Sequence, residues 1–497
     1  MNFDIILKQT KHQRKGDSKE IVEITRSTFL KGLFSAFGAG GGRIFAAPPG
    51  WKPPKNPRLV FGAVSDTHLR TSVDGKGHGK RWPDKYLVAA FKYFRDQNVD
   101  AVVNCGDMAH RGQVLEQEFH AAAWRKVFPD NRAPDGHVVE KLFVNGNHDV
   151  EGGNYGDFVK KAFPDPEERA RRVLATDMAG NWQRIWGEPY EPVWHKVVKG
   201  YHFFGRHFGV PEMETARVIR AKARGCGLLE GKDPFFILSH VRPHSPLNRA
   251  LRPFKNAVGF FGHWHRSAAN WGNIFFWSSF PTIEIPSCEP RGCSGTKPEG
   301  SLAKSDPEGR DAMCKGRQGY VVRVYDDMLT ISRREFGEGG SLGADWVMPL
   351  GVYTPHPLSK DELKKRIGEP QFRAGARIAV SEAAMPPPPD RPKQLGKPAL
   401  RVSIPHADAN PESRVYAYDV VVVGADRSKK LFKCVYAAGA NLGVGHEPHG
   451  GVTTLYISKA QLPKGSRLTI AARPITSLGT AGHAIACVYD RTAVRHA

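Results

Sequence analysis

Cysteine is scarce in this chain, 7 in 497 residues, and no two fall in a C-x-x-C pair. That argues against a structural zinc module, which needs closely spaced thiolates. Long apolar runs are also missing. No segment reaches the roughly 20 residues that a spanning helix requires, so no transmembrane segment is expected. Acidic residues are outnumbered, 50 against 72 Lys and Arg, which leaves a formal net charge of +22 and a pI near 9.7. No single basic run accounts for this excess. The exterior reads as basic throughout, attractive to anionic partners at long range but silent about the reaction. With 40% hydrophobic and 25% charged residues, the chain has the composition and length of two or three globular domains.

The first 47 residues stand apart. Thr25-Arg26-Ser27-Thr28-Phe29-Leu30-Lys31 precedes a Gly-rich, weakly apolar stretch that ends in Ala46-Ala47-Pro48. This resembles a twin-arginine export leader, with Ser27 where the second arginine belongs and Arg43 inside the apolar stretch. The other reading is a disordered basic tail. Cleavage near Ala47 would remove eight basic and four acidic residues and lower the charge from +22 to +18. The leader implies periplasmic or secreted location, with the cytoplasm as the alternative. In an exported protein, a disulfide among Cys288, Cys293 and Cys314 would staple their Gly- and Pro-rich stretch. Cys105, Cys226, Cys434 and Cys487 stand in apolar contexts and read as core thiols.

Beyond the Pro-rich lead-in at 49–57, strand-like and helix-like runs alternate. Arg58 to Val64, Ala101 to Asn104, Lys141 to Val144, Phe235 to Leu238 and Ala257 to Phe261 are short and apolar, as buried strands are. Helices are expected over Pro83 to Gln97, from the spacing of Tyr86, Leu87, Ala90, Phe91 and Phe94, and over Val114 to Val127. Strand, helix, strand is the order of a layered α/β core. Gly319 to Val324 and Met328 to Arg333 read as a hairpin. This unit spans 58–350, and a connecting segment, 351–369, carries a short helix over Lys360 to Ile367. From 370 to 497 the texture becomes β-rich runs between turns, with four prolines at 386–389 that no strand interior would accept. A small all-β sandwich is expected there. Leu462-Pro463-Lys464-Gly465 through Ser477-Leu478-Gly479 resembles late strands of fibronectin type III domains.

Each of the five strand runs ends in a polar block, in the order D-x-H, G-D, G-N-H-D, H and G-H-x-H. These blocks supply Asp66 and His68, Asp107, Asn147 with His148, His240, and His263 with His265. Loops leaving strand ends collect ligands, so residues remote in sequence can converge on one site. In an extended segment side chains two apart share a side, so Asp66 and His68 would reach one cation together. Asp107 can bridge two cations through its two oxygens. Asn147 adds a carbonyl oxygen without adding negative charge. Carboxylate and imidazole suit Mn, Fe or Zn. Two such cations ~3.5–4 Å apart clamp both oxygens of an in-line displacement and lower the pKa of a shared water. A lone D-x-H or G-D would mean little. G-N-H-D and G-H-x-H are more specific, and their joint occurrence in order, each after a strand, makes the case.

Residues 58–350 thus resemble a calcineurin-like metallophosphoesterase. The resemblance implies a four-layer α-β-β-α sandwich and two divalent or mixed-valence metal ions. It implies that Asp66, His68, Asp107 and His265 hold the first metal, and Asp107, Asn147, His240 and His263 the second. His148 would be the catalytic histidine that protonates the leaving oxygen. Arg111 falls where members reading G-D-x-x-D-R-G place a phosphate-contacting arginine. His110 replaces the second Asp of that pattern, which elsewhere orients the catalytic histidine, so the partner of His148 stays unassigned. Arg242, His244 and Arg266 stand close to ligands in sequence and carry less weight. His78, His120, His137 and His202 read as structural or solvent-facing. A phosphomonoesterase or phosphodiesterase is expected. The alternatives are a nuclease or nucleotide phosphodiesterase, favoured by the basic charge, and a silent module that docks to a surface or polymer through its C-terminal domain. A complete ligand set speaks against the last.

Overall fold

The computed structural model describes residues 55–71, 85–151, 161–229, 231–276, 280–289, 297–304, 316–351, 356–386, 396–410, 412–425, 430–440, 443 and 451–492. The leader segment, His78, Cys293, Cys314 and prolines 387–389 lie outside the described residues.

All five apolar runs are strands. β1 (Leu59–Val64), β2 (Ala101–Asn104) and β3 (Glu140–Phe143) run parallel to one another. β10 (Gln318–Val324), β11 (Met328–Glu335) and β12 (Trp346–Pro349) extend that sheet antiparallel, in the order β12-β11-β10-β1-β2-β3. The second sheet contains β4 (Val193–Val198), β5 (Tyr201–Arg206), β6 (Phe235–Ser239), β7 (Ala257–Phe261), β8 (Ile274–Phe275) and β9 (Thr282–Glu284). Its order is β4-β5-β6-β7-β9-β8, with β5, β6, β7 and β9 parallel.

Parallel strands need cover on both faces, and the side-chain alternation supplies it. Leu59, Phe61 and Ala63 face the second sheet, and Val60 and Val64 face helices. Phe61 is met edge-on by Phe203, Phe236 and Phe260, with ring centroids 5.3 to 5.6 Å apart. Edge-to-face pairs of this kind add about 0.5–1.5 kcal/mol to plain burial. On the outer face of the first sheet lie helices Lys85–Asp96 and Val114–Val127, whose Leu87, Phe91, Phe94 and Trp124 are buried. Against the second sheet lies helix Glu212–Gly225, through Ala216, Ile219 and Ala223. The layering is α-β-β-α. No helix among the described residues is long and apolar enough to cross a membrane.

The C-terminal region is all β. β14 (Ala379–Ala384), β15 (Pro398–Ile404) and β19 (Thr453–Ser458) form one antiparallel sheet, in the order β14-β15-β19. β17 (Val415–Gly424), β18 (Lys430–Tyr436), β20 (Arg467–Thr476) and β21 (Ile485–Asp490) form another, in the order β18-β17-β20-β21. A small ladder pairs β13 (Gln371–Phe372) with β16 (Ala407–Asp408). One core joins the two larger sheets through Leu400, Val402, Tyr418, Val420, Ile470 and neighbours.

The two units lend residues to each other. Ala303, from the segment after β9, is buried in the sandwich core, and Leu478, from the turn after β20, is buried in the core of the first unit. The buried Asp419 carboxylate receives hydrogen bonds from Ser301 Oγ, from the Leu302 N–H at 3.1 Å and from the Arg473 guanidinium at 2.9 Å. Trp271 Nε1 donates to the Glu412 carbonyl at 2.9 Å, and Arg366 donates to the Glu412 carboxylate at 2.8 and 3.1 Å.

The cysteines depart from the expected pattern at Cys226, which is exposed rather than a core thiol. It caps the C-terminus of helix Glu212–Gly225, where the chain turns away from the core. Cys105 and Cys434 are buried, Cys487 is half-buried, and Cys288 is a buried free thiol, so it staples nothing.

Candidate metal centre

The five polar blocks leave the C-terminal ends of β1, β2, β3, β6 and β7, and those ends face one cleft between the sheets. Two ligand groups form there. Asp66, His68, Asp107 and His265 bring donor atoms within 4.8 Å of one another, and so do Asp107, His240 and His263. Asp107 belongs to both. Asn147 Oδ1 completes the second group, 2.9 Å from His240 Nε2 and 3.2 Å from His263 Nδ1. All seven residues expected as ligands are therefore brought together.

The local backbone is not extended, contrary to the reading of D-x-H. Asp66, His68, Asp107, His263 and His265 all adopt positive φ, between 43° and 76°. Left-handed backbone in such residues costs about 1–3 kcal/mol each and persists only where surroundings over-determine it. Here the loops hold one another. The Asp66 N–H donates to the Gly106 carbonyl and the His68 N–H to the Asp107 carbonyl, both at 2.9 Å. The His148 N–H donates to Asp107 Oδ1 at 2.8 Å, and the His263 N–H reaches Asp66 Oδ2 at 3.0 Å.

The glycines of the blocks follow from this crowding. A Cβ on Gly146 would run into the Asp107 side chain, and one on Gly262 into Ser65 and Asp66. Gly106, at φ +94°, would place a Cβ 2.6 Å from the Gly146 nitrogen.

The donor chemistry fits cations. The His240 Nδ1–H donates to the Cys105 carbonyl at 2.7 Å, which turns Nε2 toward Asp107 Oδ2 at 3.2 Å and His263 Nδ1 at 3.2 Å. His68 Nε2 and His265 Nε2 face each other at 3.1 Å. A cation with bonds of roughly 2.0–2.2 Å to nitrogen and oxygen separates its donors by about this much. Electrostatics agree. Burial opposes a charged imidazole, yet Asp107 and Asp66 hold His240 up at about 9, and Asp66 holds His265 at about 9. Burial likewise opposes ionisation of Asp107, and His240 brings it down to about 2. Asp66 is also held well below the usual carboxylate range, with His265 overcoming burial. The paired carboxylates thus create a strong local demand for positive charge, which divalent cations would meet. Burial pushes His68 down to about 3, leaving it neutral and able to ligate.

His148 stands beside the first group, its ring edge-on to His68 at 4.6 Å between centroids. Its Nδ1–H donates to the backbone carbonyl of His110 at 2.7 Å, and the His110 ring stacks on it at 5.5 Å. The orienting partner left open by the sequence is thus a main-chain oxygen. Burial, then Arg70, His68, His148 and Arg111, push His110 down to about 2, so its imidazole is neutral. Arg111 is half-buried at this edge, its backbone N–H donating to Glu116 Oε2 at 2.8 Å, and Arg70 is ion-paired with Glu289. Arg242 and Arg266 pack over the Trp264 ring at 5.2 and 4.6 Å. His244 caps helix Ser245–Ala250, its N–H donating to Glu212 at 2.7 Å.

Sequence reasoning gave Asp149 no task. Its buried carboxylate accepts from the Gly146, Ala109 and Met108 N–H groups at 2.8, 2.7 and 3.3 Å, locking the G-D loop to the G-N-H-D loop. The signal was the acid that ends the latter block.

No curated protein matches the chain. Among solved structures it is similar to a predicted phosphoesterase of Streptococcus pneumoniae (12% identity, 59% of this chain and 97% of that one, TM-score 0.24). It is also similar to a purple acid phosphatase from yellow lupin seeds (12%, 59% and 55%, 0.34) and to an archaeal phosphodiesterase (13%, 58% and 100%, 0.22). The family model described as calcineurin-like phosphoesterase matches residues 59–267, a span that runs from β1 through the last of the ligand blocks. The likeness to calcineurin-like phosphoesterases extends over those residues, which hold every one of the ligand blocks.

Proposed function

We propose that this chain hydrolyses phosphoric esters at a centre of two metal ions. Asp66, His68, Asp107 and His265 would hold one, and Asp107, Asn147, His240 and His263 the other. The observation that carries the reading is the pair of ligand groups sharing the Asp107 carboxylate. Mn, Fe or Zn, when bound, would supply Lewis acidity at the phosphoryl oxygens and a water of lowered pKa.

The remaining work falls to the chain's own groups. His148 would act as general acid. Its Nδ1–H is committed to the His110 carbonyl, so the proton delivered to a leaving oxygen resides on Nε2. The His148 backbone, tied to Asp107 Oδ1, keeps that ring in register with the ligand groups. Asp66, His68, Asp107 and His240 are buried, and His263 is exposed, so substrate would approach from the His263 side. Arg111, next in sequence to His110, would contact the phosphate.

The C-terminal sandwich, with its first, second and fifth major strands in one sheet and the third, fourth, sixth and seventh in the other, supports a fibronectin type III-like reading. Its role would be docking to a surface or polymer. The leader-like residues 25–31 support export to the periplasm or beyond.

The test compares a chromogenic phosphate monoester with the matching diester, using metal-stripped protein reconstituted with Mn, Fe or Zn. Hydrolysis is expected only after reconstitution. Full activity in verified metal-free protein would refute the proposal. A diester preference, with nucleic-acid affinity falling steeply with salt through counterion release, would favour a nuclease or nucleotide phosphodiesterase.

A further inference from the structure

We propose that His195, His202 and Cys226 form a second, separate metal site, a three-ligand centre for a zinc-type cation on the outer face of the second sheet. His195 lies on β4 and His202 on β5, antiparallel neighbours in which His195 pairs with Phe204 and Val197 with His202. Trp194, Val198, Tyr201 and Phe203 point into the core between the sheets. Alternation along a strand therefore turns His195 and His202 to the opposite face, where helix Glu212–Gly225 packs. That helix ends at Cys226.

The geometry is close to a ligand set. His195 Nε2 and His202 Nδ1 are 2.9 Å apart, and the Cys226 sulfur shares with them a common separation within 4.8 Å. The two rings are nearly parallel, 12° between planes with centroids 5.1 Å apart, and Phe204 stacks on His195 at 4.6 Å and fixes its orientation. Burial lowers both imidazoles, joined for His195 by His202 and Lys222. Both are therefore neutral at neutral pH and present lone pairs once the tautomer places their hydrogens on the outer nitrogens. Two imidazoles and a thiolate suit a borderline-soft cation, with Zn–N near 2.0–2.1 Å, Zn–S near 2.3 Å and a water in the fourth position. On binding, the Cys226 thiol releases its proton to solvent, and no oxidation state changes.

This cluster is distinct from the centre in the cleft. His202 is the second residue of β5, whereas the cleft lies beyond its far end, where Arg206 pairs with Ser239 just before His240. Four residues of strand separate the two, about 13 Å at ~3.3 Å per residue. A cation here would pin the β4–β5 edge hairpin to the end of the helix.

Cobalt(II) titration of the metal-stripped full chain tests this, read by thiolate-to-cobalt charge-transfer absorption in the near ultraviolet. The ligands in the cleft include no sulfur, so that band reports a cysteine site alone. The expected result is a saturable band, abolished by competing zinc, lost in Cys226→Ser and retained in Asp107→Ala. In His195→Ala and His202→Ala the cobalt affinity should fall by more than about tenfold, the effect that even an outer-shell partner produces. Cys226 is exposed, so the serine variant should melt like the parent without metal. The absence of the band, its survival in Cys226→Ser, or unchanged affinity in both histidine variants would overturn the proposal.

Discussion

Gly106→Ala tests whether the loops of the cleft are as tightly interlocked as their contacts imply. A Cβ at this position would lie 2.6 Å from the Gly146 nitrogen, 2.8 Å from the Gly146 Cα and 2.9 Å from the Asn145 carbonyl carbon, all main-chain atoms. Ordinary contact begins near 3.4 Å, so the strand-end loops must part by about 0.8 Å, the difference between 3.4 and 2.6 Å. Overpacking of this kind costs about 1–3 kcal/mol, and alanine at φ +94° adds about 1–3 kcal/mol more. With about 2–4 °C lost per kcal/mol for a unit of this size, the melting temperature should fall by roughly 5–20 °C. The chemistry should suffer more. The displacement separates Asp107 from Asn147 and His148, and misplacement on the order of 1 Å costs about a hundredfold in rate. The assay pairs a thermal melt with turnover of a chromogenic phosphate ester and metal analysis. Gly225→Ala is the control, because a Cβ there meets nothing within 4 Å. A Gly106→Ala protein that is folded, metal-replete and fully active would refute the interlocked cleft.

Three further outcomes are expected. His148→Ala should keep its metals yet lose about 10²–10⁴-fold in rate, more for alkyl than for nitrophenyl leaving groups, whereas Asp107→Ala should lose both the metals of the cleft and activity; metal analysis and turnover distinguish them. Burial holds the core imidazole of His120 at about 3, below its unfolded value near 6.5. The unfolded chain therefore binds the extra proton between those limits, so stability falls as pH drops through that window by up to about 1.4 kcal/mol per pH unit. His120→Gln should melt with a visibly flatter pH profile, and identical slopes would refute this. Glu412→Ala removes the carboxylate that receives the Arg366 guanidinium and should cost about 1.5–3 kcal/mol, with calorimetry showing the two units melting less cooperatively.

The ligand blocks were legible because each places a chemically demanding residue just after a buried strand, and three of the five couple it to a glycine. Helix Val114–Val127 was equally legible, its bounds matching the structure. Helix Glu212–Gly225 was not read, since only Thr215, Ala216, Ile219 and Ala223 are buried along fourteen residues rich in Lys, Arg and Glu. The left-handed backbone at Asp66 and His265 was invisible, because nothing in a side chain's identity announces the turn its neighbours impose. The partner of His148 was hidden for a similar reason, as every residue carries a carbonyl oxygen. His195, His202 and Cys226 gave no warning at all. Two strands and a helix end bring them together without any motif spacing.

Ala303 in the sandwich core and Leu478 in the core of the first unit make the C-terminal region a bracket rather than a pendant. A module on a flexible leash samples many distances from its enzyme, and its local concentration effect decays with leash length. Here each unit completes the other's interior, so the sandwich and the ligand groups of the first unit are held at one set distance and angle.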